Sequence, residues 1–325
     1  MVGVIILNYN NSLDLEKCIN SLVSWEDMSK IKMMVVDNGS SLIEREKAKT
    51  YLNGKFHNFT TIVNNEKVVL GGVNYLQLEA NLGYAQGNNA GMNCFMSDKD
   101  INYIMFLNSD IIFTRGIIAP LIDQIKCQRN CGAISPLLYN KNGEVDYCCA
   151  RLNYDNIDLS LTFSYLMSSY YRKRVNRKKI LLQHPELLKS EVVNIELPSG
   201  SCMLFDKSVL KEIGGFDPNT FLYYEESILY EKLKKIGRQS YLLPSVSCIH
   251  VGGATTTKTK TSYFLKLCNF NSLLYYVNKY RTLPRINKYY MIFTGKLILL
   301  RLYLPMKIKS KLKTLFYENS RSNSN

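Results

Sequence analysis

Six short stretches of this chain carry side chains that could do chemistry, and four of them share a position. Asn8, Asp37, the segment Asn81–Gly83 and Asp110 each follow an apolar run that reads as a β-strand. Asn, Asp and Gly are ordinary turn residues, so one such strand end says little. Four together mark the edge at which open α/β sheets hold their ligands. Asp110 offers a hard carboxylate oxygen, which suits Mg²⁺ or Mn²⁺. Downstream, the adjacent acids Glu225 and Glu226 stand where a helix begins. There they complement the helix dipole, and the same field keeps a carboxylate ionised to act as a base. His250, one of three histidines, ends a strand ahead of Gly252-Gly253 and could bind a metal or a diphosphate.

The elements that must position these groups are legible for the first third of the chain. Residues 2–7, 33–36, 60–63, 75–78 and 103–107 are apolar runs that read as strands. Between them, 13–24 is a helical stripe with Ser12 as its cap, 42–52 is a second helix, and a third runs to about Met96. Strand alternating with helix predicts right-handed βαβ units: an α/β protein with a mainly parallel, Rossmann-like sheet flanked by helices. Beyond residue 140 the pattern weakens. Residues 151–191 are polar, tyrosine-rich and basic, and read as a long loop or a small helical insert. Strands are expected at 193–197, 202–205, 239–243 and 246–250. The helix that starts near the glutamates carries Leu229, Leu233 and Ile236 on one face and stops at Gly237.

The motifs at these positions resemble glycosyltransferase family 2, in its rhamnosyltransferase-like branch. The resemblance is carried by Val4–Asn10, by Val35-Val36-Asp37-Asn38-Gly39-Ser40-Ser41, by Asn81-Leu82-Gly83-Tyr84 through Gly91, by Phe106–Asp110, by Gly214-Gly215-Phe216-Asp217 with Tyr224-Glu225-Glu226, and by His250-Val251-Gly252-Gly253. It implies a GT-A fold over residues 1–257: a nucleotide-binding half, 1–111, and an acceptor half, 112–257, in one continuous sheet. It further implies that Asp37 accepts the N3–H of uracil or thymine, and that Asn8 lies near the base or ribose. Gly83 and Gly87 would let backbone come close to the donor, with Asn81, Asn88 and Asn108 around it. Asp110 and His250 would hold the metal. Glu226 would be the base that deprotonates an acceptor hydroxyl, with Glu225 beside it. The chain departs from the family pattern in three places: the usual DxD is Asn108-Ser109-Asp110, the base is glutamate rather than aspartate, and Ile228 stands where a further acid is frequent.

Charge divides the chain unevenly. Residues 260–318 hold twelve Lys and Arg against the single acid Glu318, and so contribute +11 of a net +14. Such a stretch predicts an anionic partner. Its apolar runs are broken by Lys296 and Arg301, too short for a spanning helix, so residues 258–325 are expected to be basic amphipathic helices on an anionic membrane surface. No nucleic-acid recognition module is present, and nucleic acid is not expected as a partner. Nine cysteines with no CxxC spacing and a first strand that follows Met1 directly predict a reducing, cytoplasmic setting on the inner face of the membrane. The reading is an inverting, metal-dependent transferase moving a sugar from a UDP- or dTDP-sugar to a hydroxyl of a lipid-linked bacterial surface glycan. The alternative is a non-catalytic nucleotide-sugar or glycan-binding protein of the same fold. A dehydrogenase is excluded by the absence of GxGxxG after the first strand, and a pyrophosphorylase by Asn8-Tyr9-Asn10-Asn11 where a glycine-rich basic loop would stand.

Overall fold

The computed structural model describes residues 1–56, 59–63, 72–252 and 262–322, with side chains beyond Pro305 described only at Lys307. Gly253 and the expected boundary at 257/258 lie outside these residues. Strands β1 (Val2–Asn8), β2 (Ile31–Asp37) and β5 (Tyr103–Asn108) are apolar almost throughout and buried. That is the composition of strands covered by helices on both faces. With β3 (Phe59–Val63) and β4 (Val73–Gln77) they form a wholly parallel half-sheet in the order β3-β4-β2-β1-β5. The chain runs outward from β1 to one side and returns to the other for β5. The order reverses beside β1, and strand ends part there to leave a crevice.

The other half of the same ten-stranded sheet is mixed. β11 (Cys202–Asp206) joins β5 antiparallel, then come β7 (Cys131–Asn140), β12 (Gln239–His250) and the short edge strand β6 (Ile111–Phe113), with β9 (Val193–Ile195) also on β12. β12 is one strand where two were expected. Its register against β7 slips between Leu243 and Ser247. Such a slip accommodates Pro244, which has no N–H for the ladder. Residues 118–140, for which the sequence suggested no elements, fold as α4 (Ile118–Cys127) and β7. Ser12 is not a cap: it is the first residue of α1 (Ser12–Trp25), and its N–H and hydroxyl both donate to Glu44 Oε2, at 3.0 and 2.7 Å. Glu44 lies in α2 (Leu42–Lys55).

Residues 151–191 form a helical insert. After β8 (Ala150–Arg151) come α5 (Asn156–Leu161), α6 (Ser168–Arg177) and α7 (Ile180–Gln183). Asp155 and Asp158 tie α5 to α6 through Arg174 and Lys178, with Arg174 Nε 2.6 Å from Asp158 Oδ1. Part of the insert's basic cluster is therefore spent internally. A short strand β10 (Leu197–Pro198) pairs back onto β8. Beyond α8 (Lys207–Ile213) and α9 (Glu225–Lys235), the chain ends in α10 (Ser262–Tyr280) and α11 (Arg285–Ser322). These last helices share a core with the insert and the start of α9, through Phe163, Tyr224, Ile228, Leu273, Tyr276 and Met291. No helix among the described residues is long and apolar enough to cross a membrane.

Candidate active site

Asp110 and His250 are 140 residues apart in sequence and meet through strand pairing. β12 lies antiparallel on β6 with His250 opposite Ile111, and Val251 N–H donates to the Asp110 carbonyl at 3.0 Å. The register brings His250 Nε2 to 3.5 Å from Asp110 Oδ1, while Nδ1 faces Asp146 Oδ2 at 3.8 Å. Burial alone would push the ring toward neutrality, but the two carboxylates outweigh it and hold its pKa above the ordinary value. Asp110 is raised by burial, opposed by His250. One carboxylate oxygen and one imidazole nitrogen converge on the cleft, with a second carboxylate orienting the ring from behind. This donor set fits a divalent cation that completes its shell with other oxygens. Among the described residues no group of three or more His, Cys, Asp or Glu is arranged to hold a metal alone.

The motifs that follow β2 and β4 lock onto one another. Asn38 Nδ2 donates to Asn81 Oδ1 and to the Gly83 carbonyl, and Asn38 Oδ1 accepts Leu82 N–H, at 3.0–3.1 Å. Gly83 has φ +82°, and a Cβ there would lie 2.2 Å from the Phe221 carbonyl oxygen. It opens α3 (Gly83–Met96). Gly87, one turn on, lets α3 sit on β1: a Cβ would meet Leu7 Cδ1 at 2.6 Å. Asn81, Gly83, Asn108 and Asp110 all line a hollow of about 270 Å³, together with Tyr9 and Phe221. Gly87, Asn8, Asn88 and Asp37 lie behind it. Asn8 and Asn88 are buried, each with an unpartnered Oδ1. Asp37 is fully buried; its carboxylate accepts Arg45 Nε at 2.7 Å and Ser40 N–H at 3.2 Å. In this arrangement its acceptor capacity faces α2 rather than the hollow.

Glu225 and Glu226 open α9 after two residues in the left-handed region, Tyr223 (φ +76°) and Tyr224 (φ +68°). Such backbone costs about 1–3 kcal/mol per residue and persists only where packing fixes it. Here the Tyr224 ring stacks on Tyr276 of α10 at 5.5 Å, and Ser272 of the same helix donates to the Leu222 carbonyl at 2.9 Å. Two residues of α3 hold the preceding loop: Asn89 exchanges both of its hydrogen bonds with the Phe216 backbone, and Tyr84 N–H donates to the Phe221 carbonyl. Asp217 is buried and accepts from Tyr275, Lys279 and Tyr280, again from α10.

The two glutamates differ. Glu225 is 7% exposed with Oε1 unpartnered, and burial together with the neighbouring Glu226 pushes its pKa up to about 8. Glu226 is open to the cleft; Oε1 accepts Gly200 N–H at 3.2 Å and lies 3.8 Å from Arg151 Nη2. Both acids face a second hollow of about 210 Å³ that shares Tyr84, Asn108, Leu222 and His250 with the first. Glu226 also faces a third, again about 210 Å³, walled by Arg151, Tyr154, Tyr171 and Tyr224 and by Asn269 of α10. The cleft thus runs from the Asp110–His250 pair, past the glutamates, into a tyrosine-lined chamber. Asn38, Tyr84, Asp146, Arg151 and Asn269 were not anticipated as site residues. Asn38 and Tyr84 lie inside the recognised motifs; the other three have no local signal.

Comparisons with known proteins bear on the family and the fold. Residues 3–214 match the family model "Glycosyl transferase family 2". The chain is 24% identical over 271 residues to the N-acetylglucosaminyl-diphospho-decaprenol L-rhamnosyltransferase of Mycobacterium tuberculosis, covering 81% of this chain and 80% of that one. It is also 24% identical to the rhamnosyltransferase WbbL of Escherichia coli, over 77% of this chain and 83% of that one. The same identity holds to the low-salt glycan biosynthesis hexosyltransferase Agl10 of Haloferax volcanii, over 81% and 71%. The fold is similar to the crystal structure of GalNAc-T7 with UDP, GalNAc and Mn²⁺, with a TM-score of 0.59 and 16% identity, covering 86% of this chain and 47% of that one. With nearly two thirds of its length in the family match, this chain belongs to glycosyl transferase family 2.

Proposed function

We propose that this protein transfers a sugar, with inversion, from a UDP- or dTDP-sugar to a hydroxyl of a lipid-linked bacterial surface glycan. The observation that carries the reading is the continuous cleft with Asp110 and His250 at one end and the glutamate pair in the middle. The donor's diphosphate would lie at the first hollow and the acceptor in the tyrosine chamber. Glu226 then takes the acceptor proton on Oε2, which makes no hydrogen bond among the described residues. The acceptor oxygen forms the new bond to the anomeric carbon as the bond to the diphosphate breaks, and the nucleotide leaves with that electron pair. Asp110 and His250 would hold Mg²⁺ or Mn²⁺, which supplies Lewis-acid neutralisation of the leaving diphosphate when bound. Buried Glu225, its pKa near 8, remains largely protonated at neutral pH and serves as a hydrogen-bond donor rather than as the base. The lipid-linked acceptor follows the relative named for a diphospho-decaprenol substrate, and the basic C-terminus would suit the cytoplasmic surface of the membrane.

A thermal-shift screen of nucleotide sugars, with and without Mn²⁺, identifies the donor. A UDP- or dTDP-sugar that shifts melting, and is turned over when lipid-linked glycan is added, supports the assignment. Binding of donors with neither transfer nor hydrolysis would make the chain a binding protein of the same fold.

A further inference from the structure

Helix α11 presents a narrow apolar stripe to solvent. Ile286, Tyr289, Phe293, Leu297, Leu300 and Leu304 are all exposed, from 49% to 78%, at spacings of three and four residues. At 100° per residue they fall on one line down the helix, while Met291 and Thr294 on the opposite flank are buried. Beside the stripe stands the turn between α5 and α6, where Tyr165 and Met167 are exposed and Leu166 is 90% exposed. The two are joined: Ser164 Oγ and Tyr290 OH are 2.6 Å apart, and the Arg301 guanidinium lies 5.3 Å from the Tyr165 ring centre. Two elements more than 100 residues apart in sequence thus make one apolar face.

The rim of this face says what covers it. Lys296 and Lys307 flank the stripe on one side and Arg301 on the other. Arg172 and Lys173 are exposed on α6 next to the turn, and no acid occurs between Glu231 and Glu318. A second protein would have to be acidic and elongated to match; an anionic bilayer surface offers both an apolar interior and phosphate charge over the whole length. We infer that the α11 stripe and the 165–167 turn together form a membrane-insertion face that lies flat in an anionic lipid surface. This goes beyond a basic tail held by charge, because the turn belongs to the insert. Thr162 and Tyr171, either side of that turn, line the chamber behind Glu226. Docking therefore brings the chamber to the lipid headgroups, where a lipid-linked acceptor presents its sugar. That last step rests on the proposed transferase reading; the insertion itself does not.

The test is flotation of the full chain with phosphatidylcholine vesicles with and without phosphatidylglycerol. The triple variant Tyr165→Ser, Leu166→Ser, Met167→Ser leaves every charge in place. It should lower the affinity for anionic vesicles at least about tenfold, or about 1.4 kcal/mol, without changing the melting temperature. Leu297→Ser with Leu300→Ser should do the same from α11. Equal binding by wild type and both variants would overturn the insertion face and leave a purely electrostatic tail. No binding by wild type to any vesicle would overturn membrane docking altogether. Neither outcome touches nucleotide-sugar turnover measured on a delipidated acceptor, so the transferase assignment is judged separately.

Discussion

At the donor end of the cleft Asn8, Asp37, Asn108, Asp110 and His250 stand at or just after the end of a strand, and strand pairing sets their neighbours, parallel between β1 and β2 and antiparallel where β12 brings His250 to Asp110. Asn8 pairs with Asp37 in the β1–β2 register, and Asn38 reaches across to Asn81 and Gly83. At the acceptor end the groups are held by elements far apart in the chain. Tyr223 and Tyr224 are kept in left-handed backbone by α10, about fifty residues downstream, and Glu226 is held by Gly200 and faced by Arg151. A strand end is a fixed position whatever the rest of the chain does. A strained loop keeps its shape only while the helices over it stay packed. The donor end should therefore tolerate loss of the C-terminal helices better than the acceptor end, and mutations at the two ends should fail in different ways.

The largest expected effect is on chemistry at the acceptor end. Glu226→Gln should lower kcat by about 10²–10⁴, the range of a lost general base, while calorimetry shows donor affinity unchanged. A greater loss from Glu225→Gln would move the base to the buried acid. Next comes the packing that holds the loop. Tyr276 is fully buried against Tyr224, and Tyr276→Ala should cost about 3–5 kcal/mol of stability, as for other buried aromatics. Urea unfolding measures it, and a cost under about 1 kcal/mol would mean that α10 is not integral to the site.

At the donor end, Asp110→Asn should reduce turnover at least about tenfold, equivalent to roughly 1.4 kcal/mol in the barrier, and should weaken the response to added Mn²⁺. A variant fully active in chelator would remove the metal from Asp110. A further effect separates the two glutamates by pH. Glu225 has a folded pKa near 8 against an ordinary 4.5. A raised carboxyl pKa means that the unfolded chain ionises first. Stability is undiminished below about pH 4.5 and falls as pH rises toward 8. Glu225→Gln removes that penalty, so the variant should melt closer to, or above, wild type at pH 8 than at pH 5. An equal difference at both values would show that the carboxyl is not held protonated.

The donor end was also the legible end. A buried parallel strand advertises itself as an apolar run, and the residue that follows it must be polar and turn-forming, so Asn8, Asp37, Asn81 and Asp110 could be placed from the chain alone. The side chain's direction could not: Asp37 faces Arg45 because α2 packs where it does. The C-terminus shows the reverse error. Its charge was plain, and it suggested one basic appendage, yet α10 packs on the loop before α9 through Tyr275, Tyr276 and Lys279, while α11 keeps an exposed apolar stripe. Charge counts do not distinguish a lysine that meets a buried Asp217 from one in water. Residues 118–140 were missed because Gly132, Ser135 and Pro136 interrupt the apolar run of β7 and α4 is short, so neither period was clean.

By itself the sequence determined the order of the elements in the first third of the chain, the polar residues at the strand ends and the family, because these depend on local pattern and on motifs of contiguous residues. Tertiary structure decided the contact between His250 and Asp110, which the family resemblance implied only as a shared metal site, and it alone placed Asp146 behind the ring. It also decided that Arg151 and Asn269 face the chamber beyond Glu226. Each of those meetings depends on the register of a strand or the packing of a helix contributed from a distant part of the chain. The energy that selects such a register is the burial of whole faces, which no short segment carries.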